Sequence, residues 1–250
     1  MSIHNVLPAK RIADVWPATV GKLPQPLADV VAAFEEVDYT VPPAATLTTA
    51  GLTAKDIPAA VEKLAGAIAV RDSFEEAKRQ AKGDLADAVL LAASQAVPAI
   101  AKSLAPKFQT AVQTYRSAVN MLPEQISSEI LVGSDPAVLA AFQNAVAAAA
   151  AIKAIDGWLA STFDLPEHGA FEHQPALRVL NPQTRAELTV LLNAKAKSDI
   201  ENQLNAVYLT AVREGIPFAM HTCHEAQALR DSIDSMPVVR KPIKFARLAR

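Results

Sequence analysis

From residue 56 to residue 235, apolar side chains return at intervals of three and four, the spacing that lines one face of an α-helix. Ile57, Val61, Leu64 and Ile68 open the pattern, and Leu85, Val89, Ala92, Ala96, Ile100 and Leu104 continue it. Phe108, Val112, Tyr115, Val119 and Leu122 then form a regular heptad, the seam of a coiled coil or of a close helix pair. A further stripe runs through Leu139, Phe142, Val146, Ala149, Ile152, Ile155 and Leu159. The last long one comprises Leu188, Leu192, Ile200, Leu204, Tyr208 and Ala211. A shorter helix is expected within residues 218–235, with Ala226, Leu229 and Ile233 facing inward.

Punctuation divides this run. Asp56 is placed to cap the first long helix with Pro58 in its first turn, where the missing N–H costs nothing. Gly83 marks a weak point, and Pro98 and Pro106 predict bends or breaks. Pro123 ends the heptad segment, and a short helix is expected over 124–131, before Gly133. Asp135 with Pro136 opens the next helix. Residues 162–182 read as the longest loop. Thr184 and Glu187 form a capping box for the last long helix, which should stop at Gly215 and Pro217.

The first 52 residues read differently, because Pro8, Pro17, Pro24, Pro26, Pro42 and Pro43 interrupt them and only residues 27–37 carry a convincing helical pattern. Proline removes a donor and biases the residue before it toward extended backbone, which predicts an extended arm docked through Val6, Leu7, Ile12, Val15, Trp16 and Val20. The expected organisation is an arm over 1–52, a helical bundle over 53–236 and a tail over 237–250.

Composition agrees with helix. Half of the 250 residues are apolar, enough for a real core and against wholesale disorder, while aromatics are 5% and alanine dominates. The expected fold is an all-α, antiparallel bundle of about five to seven helices. Net charge is −2, which excludes a global field directed at nucleic acid. The tail departs from that balance: Arg240, Lys241, Lys244, Arg247 and Arg250 stand there with no acid among them, leaving a mildly acidic body. These five are the candidate partner-binding residues, suited to phosphates or to an acidic protein groove.

With Cys223 alone, no intramolecular disulfide forms. The first ten residues lack an apolar signal core, and Gln143, Asn144, Lys153 and Asp156 interrupt the most apolar stretch, 137–160. The expectation is an intracellular or cytoplasmic protein without signal peptide, transmembrane segment or membrane partner.

Chemistry is sparse. His221, Cys223 and His224 are all metal-capable, with His168 and His173 in the preceding loop, but their spacing fits no standard zinc motif. The simpler reading is surface or capping histidines beside a small buried thiol, so no metal ligand and no cofactor are assigned. The pairs Glu35–Glu36 and Glu75–Glu76 read as solvated helix faces, since adjacent helical residues point about 100° apart. A nucleophile elbow and glycine-rich phosphate loops are absent from the sequence, and no catalytic residue is assigned.

The leading expectation is a non-catalytic helical assembly protein, a subunit or adaptor of a larger complex, with other protein subunits or copies of itself as partners. By analogy alone, prolines in an arm and charge in a tail also mark subunits of virus particles. The alternatives are a nucleic-acid-associated protein acting through the tail, and a metal-dependent enzyme with its site near His221, Cys223 and His224.

Overall fold

A computed structural model of the chain describes residues 5–42, 53–170 and 174–236. It is all-α, a helical bundle with nine helices among those residues. They are α1 (Val6–Val20), α2 (Gln25–Tyr39), α3 (Ile57–Val119), α4 (Ser128–Val132), α5 (Pro136–Ala160), α6 (Arg185–Leu192), α7 (Asp199–Gln203), α8 (Ala206–Arg213) and α9 (Cys223–Ser235). Two compact units result. One comprises Met1–Lys107 with Ser161–Gly169, the other Phe108–Ala160 with Ala170–Arg250.

In the first unit, the expected extended arm is two helices. Three of its prolines stand where helices tolerate them, Pro8 in the first turn of α1, Pro24 at the N-cap of α2 and Pro26 just inside it, while Pro17 lies inside α1 and forgoes one bond of its last turns. Ala9, Ile12, Ala13 and Trp16 recur at helical spacing and are buried, as are Leu27, Val31 and Phe34 of α2. The α1 helix packs against the 3₁₀ turn Ser161–Asp164, where Trp16 Nε1 donates to Ser161 Oγ at 2.7 Å. Two lysines of α3 complete the C-terminal end of α2. Lys78 Nζ donates to the carbonyls of Asp38 (2.9 Å) and Thr40 (3.1 Å). Lys82 Nζ donates to Phe34 O and to the Asp38 carboxylate, both at 2.7 Å, and stands 3.7 Å from the centre of the Phe34 ring.

Pro98 and Pro106 do not break α3, which runs as one helix of 63 residues through Gly83 and both prolines. Pro98 has no N–H to offer the carbonyl of Ser94 one turn earlier. That carbonyl lies 3.1 Å from His168 Nε2, and the Ser94 hydroxyl donates to Pro166 O at 2.5 Å. A loop more than 70 positions away thus supplies the donor that proline removes. His168→Ala should therefore cost about 1–3 kcal/mol, the penalty for leaving a buried acceptor unpaired. In a Pro98→Ala background the new amide can serve Ser94 O, so the cost of His168→Ala should largely vanish. Urea unfolding of the four proteins checks this, and additive losses would contradict it.

In the second unit, the heptad residues Phe108, Val112, Tyr115 and Val119 are buried core, together with Phe142, Ala145, Ala149, Ile152 and Ile155 of α5. The α5 helix begins as read from sequence, with Asp135 Oδ1 accepting from the Ala137 amide at 2.8 Å. By length and composition alone, α3 and α5 each hold a window apolar enough to cross a membrane, and less than half of each window is buried.

The expected long helix from Thr184 to Gly215 keeps its ends and loses its middle. Thr184 caps α6, and Gly215 takes the left-handed conformation at φ 72° after α8. Between them, Ser198 accepts from the Glu201 amide while Glu201 Oε2 accepts from Lys197 N at 2.7 Å, starting α7 afresh. Asn205, at φ 62°, caps α8 through Oδ1. Local side chains that satisfy helix-end amides outcompete continuation here.

Candidate functional site

The histidine and cysteine residues of the most reactive-looking segment are placed by a helix start. Thr222 is the N-cap of α9, accepting from the Glu225 amide while Glu225 Oε2 accepts from Thr222 N at 2.7 Å, a full capping box. Just before it, residues 217–221 run antiparallel to 178–181: Asn181 N donates to Pro217 O, Ala219 N to Val179 O, and His221 N to Arg178 O. This geometry separates the three side chains. His221 Nδ1 lies 2.7 Å from Leu177 O, the Cys223 thiol is fully buried and directed at Leu159 O, and His224 is exposed. His168 belongs to the other unit and serves Ser94, while His173 lies outside the described residues. No group of three metal-capable side chains occurs among the described residues. The sequence signal for this helix start is the Thr222–Glu225 capping-box spacing, which lies within the same segment as His221, Cys223 and His224.

Around this turn the second unit is tied together by polar contacts suited to structure. Arg178 makes two parallel bonds to Asp156, Nε–Oδ1 at 2.8 Å and Nη2–Oδ2 at 3.2 Å, with both side chains largely buried. Tyr115 donates to Leu204 O at 2.7 Å and meets Tyr208 and Phe218 edge-on, with ring centres about 6 Å apart. Burial pushes the Tyr115 hydroxyl well above its ordinary range, and the neighbouring Tyr208 adds to it. The Tyr208 hydroxyl is raised likewise, first by burial and then by the Asp156 carboxylate. Both phenols therefore stay protonated at neutral pH, Tyr115 as a donor to Leu204 O and both as packing groups.

The carboxylate pairs stand on exposed helix surface, Glu35 and Glu36 on α2, Glu75 and Glu76 on α3, with Glu76 paired to Arg79. The depressions of the second unit are open. One, about 830 Å³, is bordered by Ser127, Glu129, Lys197, Ser198 and Asp199, and both Ser127 and Ser198 are already engaged as helix caps. Another, about 560 Å³, lies between α3 and α5 over Ala118, Ala140 and Ala141, with Met121 on its margin. The candidate partner residues Arg240, Lys241, Lys244, Arg247 and Arg250 lie outside the described residues.

The surface that stands out is apolar and belongs to the start of α3. Ahead of Ala86, none of the described side chains of α3 is buried. Ile57 is 52% exposed, Val61 51% and Ile68 46%, with Leu64 half-buried between them. These residues share one face over about 17 Å of helix at 1.5 Å per residue. Ala60, Ala65 and Ala67 flank the face, so a neighbouring helix meets no bulky obstacle there. Three of the four seam residues are β-branched, which helices favour least when exposed. The N-terminal helices, by contrast, are covered by their own unit through Ile12, Trp16, Leu27 and Phe34. Comparison with protein-family models, curated proteins and solved structures finds no match, so this uncovered face and the lack of an assembled reactive cluster among the described residues are what bear on function.

Proposed function

We propose that the chain is a non-catalytic helical assembly protein, a subunit that associates with copies of itself through the first turns of α3. The observation that carries this reading is the exposed seam Ile57, Val61, Leu64 and Ile68 on a helix none of whose described side chains is buried ahead of Ala86. Burying such aliphatic side chains is worth about 1.5–3 kcal/mol each when complete, so a fitting helix gains several kcal/mol from this face. Arg71 and Glu75 continue the same heptad positions and confine the apolar contact to the segment before them.

Light scattering of the purified chain over a wide concentration range tests the reading. The wild type should show a mass above the 26.5 kDa monomer that rises with concentration. Val61→Glu with Ile68→Glu should hold it at the monomer mass while leaving the thermal transition of the remainder unchanged, because both positions are exposed in the single chain. A strict monomer, or association that ignores the double substitution, would overturn the proposal.

A further inference from the structure

We draw no further inference here: the strongest candidate, the shallow groove between α3 and α5 floored by Ala118, Ala140 and Ala141, is an unpartnered apolar face, and nothing in the structure shows what covers it.

Discussion

Trp16→Ala should remove about 3–5 kcal/mol of stability, enough to unfold much of the first unit at ambient temperature. Trp16 is fully buried, and its indole donates to Ser161 Oγ at 2.7 Å, so truncation loses packing and leaves a cavity. Trp16→Phe keeps most of the bulk but deletes the indole donor, and should cost markedly less than the alanine variant. Equilibrium urea unfolding followed by helical circular dichroism separates the two. An undocked, extended arm would give almost no loss for either variant, because nothing would be buried to lose.

Arg178→Met should cost about 3 kcal/mol, read as a shift of the urea midpoint without a change of slope. The substitution leaves the Asp156 carboxylate largely buried without its two guanidinium bonds, and that uncompensated charge is the source of the penalty. Replacing both partners, Asp156→Leu with Arg178→Met, should recover a substantial part of the loss, since an apolar pair carries no desolvation cost. A double variant as unstable as the sum of its parts would show that the pair is not energetically coupled.

The Ile57, Phe108 and Leu139 stripes announced helices because periodicity is local, and Asp135–Pro136 and Thr184 announced starts because capping is local too. Trp16 is legible as an anchor, but the density of prolines around it argues against a helix that tolerates Pro8 in its first turn and carries Pro17 inside it. The continuity of α3 was not legible at all. At Pro98 the freed Ser94 carbonyl meets His168, a tertiary contact with no local signature. The break after α6 is encoded in the caps Ser198, Glu201 and Asn205, over which the apolar stripe Leu188 to Ala211 runs without interruption.

The candidate site followed the same division. His221, Cys223 and His224 are adjacent in sequence, but a capping box and an antiparallel backbone pairing turn them toward separate partners. The seam Ile57 to Ile68 was visible as a stripe, whereas its lack of cover is a property of the folded unit. That difference moves attention from the N-terminal arm, which is docked, to the beginning of α3, which is not.

Hydrogen exchange measured residue by residue at several protein concentrations tests the central claim most directly. Ahead of Ala86 none of the described side chains of α3 is buried, and Lys78 and Lys82 tie the helix to α2 further along, so the amides of the turns before those lysines should open readily when dilute. If copies cover the Ile57, Val61, Leu64 and Ile68 face, protection there should rise with concentration while that of the buried stretch around Ile100, Phe108 and Tyr115 stays constant. Protection at the start of α3 that is low and independent of concentration would contradict the account.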